Sequence, residues 1–311
     1  MITTVTLNAS IDKAYDMANI VQIGSVMRVK DCRNTAGGKG LNVARVVHAC
    51  GETVQATGMI GGHNGQYFLE LMQQDGIPNA FVNVSHETRC CINILEPDGR
   101  STEFLESGEE VSDTDIQKFI SAFEDIVKQS DVITLSGSAP KQTDNTIYHT
   151  LVTIAKKHNK PVILDTSGVY LKEGLKANPT MIKPNAEELS ALLGGECALH
   201  TKDELIKAGK TLFETGIENV VISLGKDGAL LICEDGVFHG KPPKLDVVNT
   251  VGCGDAMVAA FAVAFKQNMT KQKALQYAVA VSAANAMNQN TGYFIKKDFE
   301  NIYPLVVVTK Q

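Results

Sequence analysis

The chain has 311 residues, 44% hydrophobic and 21% charged, which is enough for one large α/β domain with a sizeable buried core. Its net charge is −6 and its pI about 5.7, with no Lys/Arg run, which speaks against nucleic acid or an anionic membrane as a partner. Positive charge for an anionic substrate therefore has to be gathered locally. Seven cysteines with no C-x-x-C pair, and seven histidines without ligand spacing, point to mostly buried thiols in a reducing compartment and to no structural metal site. Met1 to Leu7 reads as a strand rather than a signal peptide. The longest strongly apolar stretch, Ala256 to Phe265, is about half of what a bilayer span needs. A cytoplasmic enzyme is expected.

In chain order, Ile2–Leu7 predicts a strand, Leu41–Cys50 a helix after a glycine cluster, Val54–Ile60 a strand and Gly65–Gln74 a helix. Asp113–Gln129 predicts a helix, Val132–Leu135 a buried strand, Asn145–His158 a helix and Val162–Leu164 a strand. Asp203–Thr215 reads as a helix and Val220–Ser223 and Ala229–Cys233 as strands, with Ala256–Gln267 and Lys271–Asn288 as closing helices. Repeated βα alternation implies a mostly parallel sheet with helices on both faces. Asp12–Asp31 and Thr88–Phe104 break the alternation: they are strand-like and turn-rich, and fit a small antiparallel lid on a single domain spanning 1–311.

Thr250-Val-Gly-Cys-Gly-Asp255, followed at once by an apolar helix, carries the most chemistry. Glycines let backbone amides turn inward, and the helix adds unpaired N–H groups and a positive dipole end. Together they make an anion hole suited to phosphate, with Asp255 at or near the helix N-cap. A bland reading makes Asp255 only a capping residue. The functional reading makes it a base that orients and deprotonates a hydroxyl for phosphoryl transfer.

A second cluster, Thr35-Ala-Gly-Gly-Lys-Gly-Leu-Asn-Val-Ala-Arg45, puts Gly37, Gly38, Gly40, Lys39 and Asn42 at another helix start. The glycines permit close approach to a ligand, Lys39 offers a point charge, and the Asn42 amide can grip sugar hydroxyls. The plainer alternative is a glycine-rich turn with a solvated lysine. Gly209-Lys210-Thr211 ends like a phosphate-binding loop, but Glu204 replaces the leading glycine and the segment reads as helix, so it is a decoy.

These two loops, about 215 residues apart, resemble the signatures of the PfkB family of carbohydrate kinases, with its ribokinase-like three-layer α/β/α fold. Lys183-Pro-Asn-Ala-Glu-Glu188 and Ser223-Leu-Gly-Lys-Asp-Gly228 match two further family stretches, and the likeness covers essentially the whole chain. Thr6-Leu-Asn-Ala-Ser-Ile-Asp12 and the wording from Gly37 to Val46 are similar to the 1-phosphofructokinase and tagatose-6-phosphate kinase branch.

The resemblance implies Asp255 as base and the amides of Gly252, Cys253, Gly254 and Asp255 as the hole for the transferred group. It implies Asp12, Gly38 and Asn42 on sugar hydroxyls, and Lys39, Arg28 and Arg89 on the sugar phosphate. Lys183, Asn185, Ser223, Gly225 and Gly228 would border the nucleotide, and Asn185 and Glu188 would support Mg²⁺ through water. Two departures stand out: Asn249 where many members carry Asp, which puts an inferred monovalent-cation site in doubt, and Cys253 for a common Ala.

The expected activity is ATP- and Mg²⁺-dependent phosphorylation of fructose 1-phosphate or tagatose 6-phosphate to the bisphosphate, by a homodimer formed through the lid. The alternatives are a kinase of an unphosphorylated sugar or nucleoside, which would have no use for Arg28 and Arg89, and a non-catalytic sugar-phosphate sensor, which would have no use for Asp255.

Overall fold

In the computed structural model the described residues are 1–195, 199 and 201–311, so Cys197 lies outside them. The strands are β1 (Ile2–Thr6), β2 (Ser10–Met17), β3 (Val29–Gly37), β4 (Val54–Gly61), β5 (Val82–Val84), β6 (Arg89–Leu95) and β7 (Ser101–Leu105). They continue as β8 (Val132–Ser136), β9 (Val162–Asp165), β10 (Met181–Ile182), β11 (Asn219–Ser223), β12 (Ala229–Cys233), β13 (Gly236–Lys241) and β14 (Val307–Lys310). The helices are α1 (Lys39–Ala49), α2 (Gly62–Asp75), α3 (Asp113–Gln129), α4 (Ile147–Lys157), α5 (Gly168–Leu175), α6 (Ala186–Leu192), α7 (Lys202–Glu214), α8 (Cys253–Lys266), α9 (Lys271–Ala286) and α10 (Lys296–Ile302).

The large sheet runs β14-β13-β12-β11-β10-β9-β8-β1-β4-β5. Every pairing from β11 through to β5 is parallel, and β11 to β14 form an antiparallel edge. Parallel strands are covered on both faces, which is why β8 and β9 are buried along their whole length. One apolar cluster joins the sheet to α1, α2, α8 and α9. A second, on the opposite face, joins it to α3, α4, α5, α6 and α7. This is the mostly parallel, doubly covered sheet that the alternating pattern implies, in the three-layer ribokinase-like arrangement that the family resemblance implies.

Local chemistry sets the element ends. Ser112 caps α3 by accepting from the Asp115 amide at 3.1 Å, and α3 has the bounds its sequence predicts. Helix α8 begins three residues earlier than its apolar run suggests, because Gly252, with φ 78°, starts it from the left-handed region. Gly209 lies inside α7 and packs against Ile222 and Ile232, so the decoy loop is helix.

The small sheet has the order β3-β2-β6-β7. β2–β3 and β6–β7 are antiparallel hairpin pairs, while the central β2–β6 pair is parallel. Ser10 pairs with both Gly37 and Arg89 at the end nearest the large sheet, and Met17 pairs with Val29 at the far end. Ile23, Val26, Val29, Phe104 and Leu105 are exposed in and around its outer strands.

Candidate active site

Asp255 is the third residue of α8, and Gly252, not Asp255, is the N-cap. Its carboxylate does not close on its own helix. Its Oδ2 instead accepts a hydrogen bond from the Asn42 side-chain amide at 2.8 Å, from the start of α1. The Cys253 N–H turns back to the Thr250 carbonyl at 3.3 Å, and the Gly254 and Asp255 amides find no acceptor among the described residues. The anion hole expected over four amides is thus narrowed, with Cys253 withdrawn from it. The Cys253 side chain faces Asn249 and Asn285, and burial pushes its thiol up, away from a reactive thiolate. Ser282 of α9 donates to the Cys253 carbonyl at 2.9 Å and ties the loop to the neighbouring helix.

Asp255 is only 6% exposed, and its pKa is pushed up to about 6. Burial is the largest cause and the nearby Asp165 charge adds to it; Lys39, Asn42 and Lys183 pull the other way.

On α1, Arg45 donates to Asn42 Oδ1 at 3.3 Å and pairs with Asp75 at 2.8 Å, which leaves the Asn42 NH₂ directed at Asp255. One N–H of that amide is taken up by the carboxylate, which leaves one for a sugar hydroxyl. The glycines beside it are explained by their own chain. A side chain on Gly38 would overlap Thr6, and one on Gly40 would overlap Thr6 and the Val5 carbonyl, because α1 packs closely on β1. A side chain on Gly37 would overlap the Asp12 carboxylate, which lies across it and accepts from Ser10 Oγ at 2.6 Å. Asp12, raised chiefly by burial, lies at the root of the small sheet, paired with Thr35 and Cys91.

Asp165, at the end of β9, joins this cluster, although no motif in the sequence marked it. Its buried carboxylate lies 3.4 Å from Lys183 Nζ and 3.9 Å from Lys39 Nζ. The Asp165 charge is the main cause that raises Lys39, followed, after burial, by Asp255 and Glu188. Lys183 Nζ is also 3.0 Å from where a Cβ on Gly254 would stand, against the anion-hole loop. The signal available in the sequence was an acidic residue closing the otherwise apolar run Val162-Ile-Leu-Asp165 at the carboxyl end of a parallel strand, where open α/β sheets bind ligands.

A cavity of about 640 Å³ opens at Asn185, just after Lys183 in the chain, and is lined in part by Asn185, Glu187, Ser223, Leu224, Asp227 and His239. Asn185 and Ser223 thus share it. Lys183 faces the anion-hole loop instead, and Gly225 and Gly228 shape the turn behind Ser223, where a side chain on Gly228 would overlap the Gly240 carbonyl. Asn185 and Glu188 hold one another. The Asn185 side chain accepts from the Glu188 amide at 2.8 Å, and Glu188 Oε2 accepts from the Asn185 amide at 2.9 Å, a capping box that starts α6.

Arg89 lines a separate cavity of about 430 Å³ with Lys141, Thr88 and three glutamates, Glu87, Glu106 and Glu109. Three of its five N–H donors go to the Asn8 and Glu106 carbonyls, leaving two free. The Glu87 carboxylate accepts from the amides of His63 and Asn64 at the start of α2, and Glu106 accepts from the Cys90 amide, so local donors offset part of that acidity. Arg28 does not join Arg89. It is exposed beside Val29 at the far end of the small sheet, opposite the end where Ser10 meets Arg89.

A buried carboxylate beside an amide-lined helix start, at the carboxyl ends of a parallel sheet, defines a phosphotransferase-like site on a ribokinase-like fold. Residues 5–298 match the family model described as pfkB family carbohydrate kinase, and the chain belongs to that family. Phosphofructokinase-2 from Escherichia coli, in complex with fructose-6-phosphate, is 26% identical with a TM-score of 0.88 over 98% of each chain. Two Thermotoga maritima proteins share the fold. One, described as a possible 1-phosphofructokinase, is 24% identical with a TM-score of 0.86, covering 100% of this chain and 99% of that one. The other, a ribokinase, is 21% identical with a TM-score of 0.78, covering 97% and 98%. Among the described residues no helix is long and apolar enough to cross a membrane.

Proposed function

We propose that this carbohydrate kinase transfers the γ-phosphoryl group of ATP to a ketohexose monophosphate, with fructose 1-phosphate and tagatose 6-phosphate as the leading acceptors. The observation that carries the reading is the Asp255 carboxylate, buried at a helix start yet capping nothing, with one oxygen held by Asn42. The other oxygen is left to accept the proton of an acceptor hydroxyl. As that O–H bond breaks, the oxygen forms a bond to the γ-phosphorus, the bond from phosphorus to the β–γ bridging oxygen breaks, and ADP leaves. The Gly254 and Asp255 amides and the Lys39 and Lys183 ammoniums face the charge that moves.

The donor set fits a metal that arrives with the nucleotide. Mg²⁺ keeps several waters and phosphate oxygens and needs only one or two protein carboxylates, for which Glu188, with one oxygen outside the capping box, and Glu187 are at hand. Bound there, Mg²⁺ would neutralise phosphate oxygens of ATP.

The two free N–H groups of Arg89, with Lys141, suit the sugar phosphate, and the exposed apolar residues of the small sheet suit a homodimer that packs these lids together. Arg28 could serve the phosphate only from a second copy, since within one chain it sits at the far end of that sheet. An ADP-release assay over fructose 1-phosphate, tagatose 6-phosphate, fructose 6-phosphate, free fructose, ribose and adenosine tests the reading. Turnover confined to the phosphorylated ketohexoses is expected. Faster turnover of a neutral acceptor would overturn it.

A further inference from the structure

The Asp165 carboxylate is 4% exposed, and its Oδ2 accepts no hydrogen bond. A buried, incompletely bonded charge is expensive, so its partners matter. They are two ammoniums brought from different parts of the chain: Lys39 from the first position of α1, 3.9 Å away, and Lys183 from just after β10, 3.4 Å away. Both ammoniums also act on Asp255, and Lys183 lies against Gly254. A lysine is a point charge on a flexible four-carbon stem, and Lys39 is 46% exposed, so something has to hold it.

We propose that Asp165 is a positioning residue of the phosphoryl-transfer site, a shared counter-charge that fixes Lys39 and Lys183 where both face the Gly252–Asp255 loop. It touches no reacting atom. The proposal rests on the kinase reading above and deepens it. Removing the charge leaves two cations with one carboxylate between them, Asp255. Anionic substrates then bind at least as well, while the lysines lose the geometry that serves the moving charge.

The groups that face Asp255 are Asp165 from β9, Lys39 and Asn42 from α1, and Lys183 from the segment after β10. With Asp165 neutral, only cations and an amide donor remain, so Asp255 stays ionised to lower pH. The experiment is steady-state kinetics and thermal unfolding of Asp165→Asn and Asp165→Glu in the full-length protein, with the best acceptor from the panel above. In Asp165→Asn, kcat should fall about 10- to 100-fold with KM for the sugar phosphate unchanged or lower, and the acid limb of kcat/KM should move down by about one pH unit. Asp165→Glu keeps the charge on a longer arm, so kcat should fall while the limb stays in place.

A wild-type kcat in Asp165→Glu overturns the proposal even if Asp165→Asn does not fold. An unmoved acid limb in a folded Asp165→Asn overturns it too, as does a KM increase in both variants with lowered thermal stability, which is the pattern of a merely structural residue. Wild-type protein that turns over no member of the panel overturns the kinase reading itself, a separate failure visible before any variant is made.

Discussion

The Asn42 amide donates to the Asp255 carboxylate at 2.8 Å, joining side chains 213 residues apart in the chain. That one bond docks the start of α1 on the start of α8, and the Arg45–Asp75 pair behind it sets which end of the amide faces Asp255. Asn42 favours the ionised form of Asp255, whereas burial and Asp165 disfavour it. The base must be ionised to accept a proton, so activity is full above the Asp255 pKa and is lost as pH falls through about 6. Asn42→Ala should move that acid limb to higher pH, opposite in direction to the Asp165→Asn variant, and lower kcat about 10- to 100-fold. A pH profile of kcat/KM from about 5 to 9 checks both signs.

Asp255→Asn should lower kcat by about 10²- to 10⁴-fold with little change in the sugar KM. It should also stabilise the fold. The folded state raises the Asp255 pKa from 3.8 to about 6, so it binds the proton more tightly than the unfolded chain does. Stability from this group is therefore fully present below pH 3.8 and lost as pH rises through about 6. Two units correspond to about 3 kcal/mol, an upper bound for what the neutral amide recovers at pH 8. Thermal melts should show a higher Tm for Asp255→Asn at pH 8 and a smaller difference at pH 5.

Much of this was legible in the sequence, for reasons that differ from place to place. Helix α3 could be bounded because Ser112 caps it and Phe119, Phe123 and Val127 recur on its buried face. The two glycine loops stood out because their residue types are rare together. Elements β5 and β10 were missed because three and two residues carry no period. Helix α6 is seven residues long and is started by a capping box that reads equally well as a ligand motif. The parallel β2–β6 pair joins positions 79 residues apart, as Ser10 with Arg89, which no local pattern reveals. The glycines around the start of α1 were read as room for a ligand, and the close neighbours they have within the chain, β1 at Gly38 and Gly40 and Asp12 of β2 at Gly37, were not foreseen.

Gly40→Ala tests that last point. The new methyl would overlap the Val5 carbonyl, which is backbone and cannot swing away. Overpacking of this kind costs about 1–3 kcal/mol. Gly40→Ala should lower Tm by several degrees without any substrate present. A substitution that left Tm alone and only weakened substrate binding would mean that the space at Gly40 belongs to a ligand.

Glu188→Gln separates the two roles that meet at the start of α6. A glutamine can accept the Asn185 amide as glutamate does, so the capping box and the melting temperature should survive. The carboxylate charge that would support Mg²⁺ is gone, so the Mg²⁺ concentration for half-maximal rate should rise about 10-fold or more. Glu188→Ala should show the same metal effect plus about 0.5–2 kcal/mol of lost stability. Titrating activity with Mg²⁺ at fixed ATP, beside thermal melts, reads both.

Arg89→Lys asks whether the guanidinium fork, rather than its charge, meets the sugar phosphate. Arg89 clamps the Asn8 and Glu106 carbonyls with three N–H groups and has two left. Lysine keeps the charge, but its three donors share one point-like nitrogen, which cannot span both carbonyls and a phosphate as the planar fork does. KM for the phosphorylated sugar should rise about 10- to 100-fold, a loss of about 1.4–2.8 kcal/mol, while KM for ATP stays within about twofold. Weaker ATP binding with an unchanged sugar KM would move Arg89 to the nucleotide end of the cleft. The neighbouring glutamates sharpen the test: with Glu87, Glu106 and Glu109 lining the same cavity, an anion there depends on each cationic donor that remains.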